Sequence, residues 1–381
     1  MNYVFYDFET TGLDTKFSQP IQIAAVCLDE NFKELDRIDQ KCKLNDGIIP
    51  HPAAMLVTRV PIDDLRNKQS FYDMMDYVHD KFKSWGPAVF IGYNSIRFDE
   101  EILRSCFFQS LHDPYLTNTE NNSRTDLFKI VLGLVALNKN IIKIPINEKT
   151  KRPSFKLELI AKANGIQHIK AHDALSDVFA TIDVARIIKN KAPDYWNECM
   201  KILGPRNLME YIQTHDYFYA APEHAAANVT YKPLSFMTNN PNNNKELAFF
   251  DLNYEPKKYY ESGISKIISM VESKQKVIRL YQSNKAPIIL SADFMKSSEI
   301  LKDDEMDIFK QRSDEIKSRD DFIEKTNFAL VERYDDFQVT REPSEFLEAQ
   351  IYNGGFYSSS DKEKIILFKK SDDAGNKYNI S

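Results

Sequence analysis

A chain of 381 residues, 43% hydrophobic and 28% charged, is long enough for two or three domains with a substantial core, and this composition excludes wholesale disorder. The net charge of −6 gives no overall attraction for a polyanion, so any nucleic-acid affinity must be local. Met1-Asn2-Tyr3-Val4 lacks the features of a secretory leader, no apolar stretch is long enough to span a bilayer, and Cys27, Cys42, Cys106 and Cys199 lack metal-ligand spacing, so reduced thiols in a cytoplasmic protein are expected.

Tyr3 to Phe8 predicts a strand, and Ile21 to Leu28, rich in branched residues, a second. Phe71, Met74, Met75, Val78 and Phe82 recur at helical spacing, which predicts a helix from Phe71 to Trp85 stopped by Gly86-Pro87. Ala88 to Gly92 reads as a short buried strand, and Glu100 to Gln109 and Leu127 to Leu137 as helices. A Lys- and Pro-bearing loop follows as far as Pro153. Between Lys139 and Lys170 eight basic residues stand against two acidic ones, a local excess of +6. Such a segment can track a phosphate backbone or be merely a solvated loop and helix face. Phe155 to Ala163 predicts a helix stopped by Asn164-Gly165, and Ala174 to Lys189 a longer one with Leu175, Val178, Phe179 and Ile182 on its apolar face. This order of elements indicates an α/β sheet domain ending near residue 200.

Beyond it the texture changes. Asn239 to Asn244 is expected to be a turn or exposed loop. Leu247 to Leu252, Lys276 to Tyr281 and Pro287 to Leu290 predict strands, followed by one charged helical stretch from about Asp303 to Glu332. This half reads as a second, α+β domain, and the polar tail from Ser371 is expected to fray.

Three clusters carry chemistry. In Asp7-Phe8-Glu9-Thr10-Thr11-Gly12 the two acids are two apart on a strand, so they share a face. Like charges buried side by side need a cation, and a hard divalent ion suits an all-oxygen site. In Asn94-Ser95-Ile96-Arg97-Phe98-Asp99, Asp99 sits where a helix begins, which also suits a simple N-cap. In His172-Asp173-Ala174-Leu175-Ser176-Asp177, Asp177 lies beside the apolar stripe of its helix, and Asp173 reads as a helix-start acid near the dipole. Each cluster has a bland alternative; the order of the set does not.

Asp-x-Glu on the first strand, Asp at a mid-domain helix start, then His and Asp five positions later resembles the Asp-Glu-Asp-Asp 3′ exonucleases with a histidine base. Three residues between Asn94 and the Phe98-Asp99 pair, the Pro153-Ser154-Phe155-Lys156-Leu157-Glu158 segment, Asn284-Lys285-Ala286-Pro287 and Glu348-Ala349-Gln350-Ile351-Tyr352-Asn353-Gly354 are similar to the bacterial exonuclease I family. The resemblance implies an RNase H-like mixed-sheet exonuclease domain over 1–200, an α+β SH3-like DNA-binding domain over 201–350, and a remnant of a C-terminal helical region over 351–381. Exonuclease I continues further, so weaker processivity is expected here.

By position, the resemblance assigns Asp7, Glu9 and Asp177 to a first metal, Asp7 and Asp99 to a second, and His172 as general base. Two Mg²⁺ ions are implied, with Mn²⁺ able to substitute. A histidine titrating near neutrality suits proton removal from water. Glu9, Thr10, Asn94, Arg97, Phe98, Lys156 and Lys285 are candidate substrate contacts, with Phe98 equally suited to packing at the helix start. The implied activity is release of 5′-mononucleotides from the 3′ end of single-stranded DNA during repair and recombination, by a monomer with no membrane association. Single-stranded DNA-binding protein is a further implied partner, although an Arg-bearing motif used for it is missing near Asn138-Lys139-Asn140. Two alternatives stay open: a 3′-5′ exoribonuclease on short RNA, and a non-catalytic single-stranded nucleic-acid-binding protein.

Overall fold

A computed structural model describes residues 1–137, 140–167, 173–226, 229–298, 303–338, 344–352, 354–355 and 357–371. β1 (Asn2–Thr10), β2 (Pro20–Leu28) and β3 (Glu34–Lys41) form an antiparallel run, and β1 also pairs in parallel with β4 (Ala88–Gly92), which pairs in parallel with β5 (Ser123–Asp126). The order β3-β2-β1-β4-β5 leaves β1 central, which is why it is apolar on both faces until Asp7. Short helices α1 (Pro52–Thr58) and α2 (Ile62–Leu65) precede α3 (Phe71–Trp85), capped by Ser70, whose hydroxyl accepts the Asp73 N–H at 3.1 Å.

Val4, Tyr6 and Phe8 point from β1 into a core with Met74, Val78 and Phe82 of α3 and with Ile102, Cys106 and Phe107 of α4 (Asp99–Gln109). Phe5 points to the other face, onto a core with α5 (Leu127–Leu137), α6 (Leu157–Ala163) and α7 (Ala174–Lys191). Asp7 and Glu9 share the parity of Phe5 and so emerge on the α7 side. This mixed α/β architecture is RNase H-like, as expected.

α8 (Pro193–Lys201) and α9 (Gly204–Gln213) lead into a second sheet of β6 (Phe218–Ala220), β7 (Lys232–Asn240), β8 (Asn243–Asp251), β9 (Ile278–Gln282) and β10 (Ile289–Ser291). Its order is β10-β6-β7-β8-β9 and every pairing is antiparallel. α10 (Ile264–Glu272), α11 (Ala292–Ser297), α12 (Asp303–Lys317) and α13 (Asp320–Gln338) complete this half, and α14 (Ser359–Lys370) follows. The α7 face of the first sheet and the second half share one apolar core, running from Phe5 through Trp196 and Tyr219 to Phe250 and Phe322.

Two expectations change. The Asn239 to Asn244 run is a hairpin turn only at Pro241 and Asn242; its flanks continue β7 and β8, and Asn240 is fully buried, its amide donating to Glu246 at 3.0 Å. The charged stretch is two helices, because the chain turns at Ser318-Arg319, which lets Ile316 and Phe322 both enter the core. Where other elements were predicted, their ends differ by no more than four residues, with α4 beginning at Asp99 and α6 at Leu157, whereas β3, α1, α2, β5, α8, α9, β6, β7, α10, α11 and α14 were not predicted from the sequence. All four cysteines are free and buried. No described helix is long and apolar enough to cross a membrane. His172, Lys139, Lys170 and the tail after Ser371 lie outside the described residues.

Candidate active site

At its C-terminal end β1 presents Asp7 and Glu9 on one face, and the first turn of α7 brings Asp177 against them. One carboxylate oxygen from each of Asp7, Glu9 and Asp177 lies within 4.8 Å of the others, the one such cluster among the described residues. Asp99 approaches from α4, its Oδ1 accepting the backbone N–H of Phe8 at 3.2 Å. Asp99 is therefore not a helix cap. The N-cap position belongs to Phe98, and Asp99 spends its carboxylate on the strand that carries the other acids. Asp173, by contrast, is the N-cap of α7, accepting the Ser176 N–H at 3.2 Å.

The electrostatics are those of buried acids that repel one another. Burial, then the charges of Asp99, Asp177 and Glu9, push the Asp7 carboxyl well above the usual range. Burial, with Asp177, Asp99 and Asp173, pushes Glu9 up to about 8, against only a weak opposing pull from Lys41. Asp99 is raised to about 7, mainly by burial, although backbone N–H groups pull the other way. A set made only of carboxylate oxygens, whose members repel one another, fits hard divalent cations. Asp7, Glu9 and Asp177 could hold one, and Asp7 with Asp99 a second.

One wall of the site is the turn after β4. Gly92 permits it, because a Cβ there would lie 2.4 Å from the Ser95 Cβ. Asn94 takes a left-handed backbone, φ 61°, a conformation Asn tolerates better than most residues. Asp126, at the end of β5, accepts the N–H groups of Asn94 at 2.8 Å, Ile96 at 3.3 Å and Phe128 at 3.0 Å. The Tyr93 hydroxyl donates to the Phe155 carbonyl at 2.6 Å, tying this turn to the start of the segment that leads into α6.

The remaining candidates scatter around this centre. Thr10 is buried and donates to the Gly12 carbonyl at 2.7 Å, so it shapes the turn after Glu9. Asn94 and Arg97 are exposed, with Arg97 Nη1 3.4 Å from His224 Nδ1 of the second half. Phe98 packs partly against the α3–α4 core. Lys156 is exposed as the N-cap of α6. Lys285 reaches in from the second half, but its ammonium is bonded to Glu101 at 2.5 Å. Arg97, Glu101, Lys285 and Tyr352 line a cavity of about 900 Å³ between the two halves. Sequence reasoning missed Asp126 and Glu101. For Asp126 the available signal was an acid placed between a short strand and a helix.

Residues 4–185 match the sequence pattern of the family described as Exonuclease. The chain is 28% identical over 390 residues to exodeoxyribonuclease I of Buchnera aphidicola subsp. Acyrthosiphon pisum, covering 97% of this chain and 90% of that one. It is 27% identical over 385 residues to exodeoxyribonuclease I of Escherichia coli K12, covering 96% of this chain and 79% of that one. The E. coli exonuclease I structure in complex with a dA16 oligonucleotide superposes with a TM-score of 0.80 at 24% identity, over 97% of this chain and 80% of that one. The chain is similar also to a zinc-bound E. coli exonuclease I complex with single-stranded DNA and to an SSB/exonuclease I structure in complex with the inhibitor CFAM, with TM-scores of 0.79 and 0.77.

Proposed function

We propose, from an exonuclease domain at residues 4–185 and a resemblance to bacterial exonuclease I that runs along the chain, that this protein hydrolyses single-stranded DNA from its 3′ end. The products are 5′-mononucleotides, and the setting is DNA repair and recombination. The observation that carries the reading is the convergence of Asp7, Glu9 and Asp177 in one carboxylate cluster, with Asp99 near enough to raise Asp7 and Glu9 further.

Asp7, Glu9 and Asp177 would hold one divalent cation and Asp7 with Asp99 a second, in our reading Mg²⁺ with Mn²⁺ able to replace it, and such ions would supply activation of a water and stabilisation of the leaving oxygen. His172, placed just before α7, takes the proton of the attacking water. Asn94, Arg97 and Phe98, on the turn that Asp126 holds, and the backbone after Glu9 grip the terminal nucleotide, while Thr10 keeps that backbone in shape. Lys156 and Lys285 serve phosphates further along the strand. We assign residues 1–200 to the exonuclease domain, 201–350 to an SH3-like DNA-binding domain and 351–381 to a remnant of a C-terminal helical region. A monomer in the cytoplasm, with single-stranded DNA-binding protein as a further partner, completes the reading.

Incubating end-labelled single-stranded DNA, duplex DNA and RNA of one sequence with the protein and Mg²⁺ tests it. Single-stranded DNA should be lost first, from the 3′ end, and EDTA should stop the reaction. Preferential loss of RNA would mean an exoribonuclease instead. The His172→Ala variant should lose about 100- to 10,000-fold in kcat while binding DNA normally, the range general-base removal produces. Near-normal turnover would remove His172 from its role.

A further inference from the structure

The carboxylate of Glu101 is placed unlike any other acid near the site. It sits in the first turn of α4, two residues after Asp99, and it takes no part in the cluster of Asp7, Glu9 and Asp177. Its two oxygens bind two separate segments of the second half. Oε1 accepts the Lys285 ammonium at 2.5 Å, and Oε2 accepts the Tyr352 hydroxyl at 2.5 Å. The turn that carries Lys285 is held by two more side chains of the exonuclease domain. Arg124 Nη2 donates to the Asn284 carbonyl at 2.8 Å, and Lys129 Nζ to the Lys285 carbonyl at 2.5 Å. Those two bonds fix the backbone of the turn. Glu101 bonds both the Lys285 side chain and the Tyr352 hydroxyl, which Arg104 also meets.

We infer that Glu101 is a positioning residue: a clasp that holds Lys285 and Tyr352 across the cavity between the two halves, and so sets the channel along which the strand reaches the carboxylates. The inference rests on the exonuclease reading above. Its geometry has a direct consequence. α4 begins with Asp99, so a clasp at Glu101 ties the channel wall to the same helical turn that presents a candidate metal ligand. Glu101 lies outside the carboxylate cluster, so on this inference its effect falls on how long strands are held. A charge-assisted pair with partial shielding from water is strong enough for that role, since both carboxylate oxygens are engaged and the group is only partly exposed.

Two measurements on Glu101→Ala and Glu101→Gln test the clasp separately from the function. In the DNA-free protein, hydrogen exchange at 283–286 and 347–352 should speed up at least tenfold in Glu101→Ala and less in Glu101→Gln, which keeps an acceptor for Tyr352. On single-stranded DNA of about 30 nucleotides, Glu101→Ala should raise KM about tenfold with kcat changed less than threefold, while on a trinucleotide, too short to cross the cavity, both constants stay within twofold. Glu101→Gln should recover part of the KM. Equal losses on both lengths would make Glu101 part of the catalytic centre and overturn the clasp. A lowered KM on the long strand would also overturn it, showing that Glu101 withholds Lys285 from phosphate instead of positioning it. Faster exchange in a protein whose wild type digests no DNA would keep the clasp and reject the proposed function.

Discussion

Asp99 and Glu100 are neighbours in sequence, both buried, and their surroundings could hardly differ more. Glu100 is fully enclosed and fully answered. Its Oε1 accepts Thr117 Oγ1 at 2.6 Å and Arg104 Nε at 3.1 Å, with Arg124 Nη1 also bonded, and its Oε2 accepts the Tyr6 hydroxyl at 2.7 Å. Burial alone would push its carboxyl up, but Arg124, Arg104 and these hydroxyls hold it below the usual range. Asp99, with backbone N–H groups but no cationic partner among the described residues, is pushed up to about 7. One region is an internally neutralised strut that joins β1, α4 and β5. The other is a set of acids that crowd and repel one another at the end of β1. Buried carboxylates are therefore told apart by what answers them, not by burial.

The largest effect that sharpens this contrast is on activity. Asp7→Asn should reduce kcat about 1,000-fold or more, equivalent to about 4 kcal/mol of lost transition-state stabilisation, measured by mononucleotide release. Yet the cation-free variant should unfold at the same or higher denaturant concentration than wild type at pH 8, because it removes one repelling charge. Glu100→Ala should do the reverse and lower stability by about 3–5 kcal/mol in chemical denaturation, since Arg104 and Arg124 lose their buried counter-charge. Comparable destabilisation by both substitutions would erase the distinction between strut and site.

The next effect is linkage to cations and protons. Mg²⁺ or Mn²⁺ at about 100 times its Kd should stabilise the wild type by about 2.7 kcal/mol and Asp7→Asn far less, read as a shift in Tm. The sign with pH follows from Glu9, whose folded value of about 8 lies above its ordinary 4.5. Between those values the folded protein holds more protons than the unfolded chain, so cation-free stability is greatest at low pH and falls as pH rises towards 8. Stabilisation by the cation should accordingly be larger at pH 8 than at pH 6. A flat response across that window would mean that Glu9 ionises normally. The smallest expected effect is at Asp126. Asp126→Asn weakens the grip on the Asn94 turn and should cost about 1–2 kcal/mol in kcat/KM, roughly tenfold, with overall stability less affected.

Much of the site was legible in the sequence because it depends on local geometry. Period-two alternation alone puts Asp7 and Glu9 on one face of β1, and the helical spacing of Val178 and Ile182 leaves Asp177 beside the apolar stripe of α7. The ends of α3, β4 and α5 followed from Gly-Pro punctuation and periodicity and match the structure. The Asn-rich run was misjudged in extent because composition cannot see what packs on it: the Asn240 amide is buried, bonding Glu246 of β8 and lying 3.4 Å from the Leu330 carbonyl of α13. The helical break at Ser318-Arg319 was missed because its neighbours are charged and carry no Gly or Pro.

What the sequence alone determined was the set of acids, their order and the strand and helix that carry most of them. These follow from backbone stereochemistry acting over a few residues. Only the tertiary structure decided that Asp99 bonds the backbone of β1 instead of capping α4, that Glu100 beside it is neutralised, and that Lys285 faces Glu101. Each of those outcomes pairs groups far apart along the chain, in Phe8 with Asp99, Glu100 with Arg124 and Glu101 with Lys285. Such pairings are fixed by how sheets and helices pack, and no local pattern encodes which buried charge will find its answer within the protein.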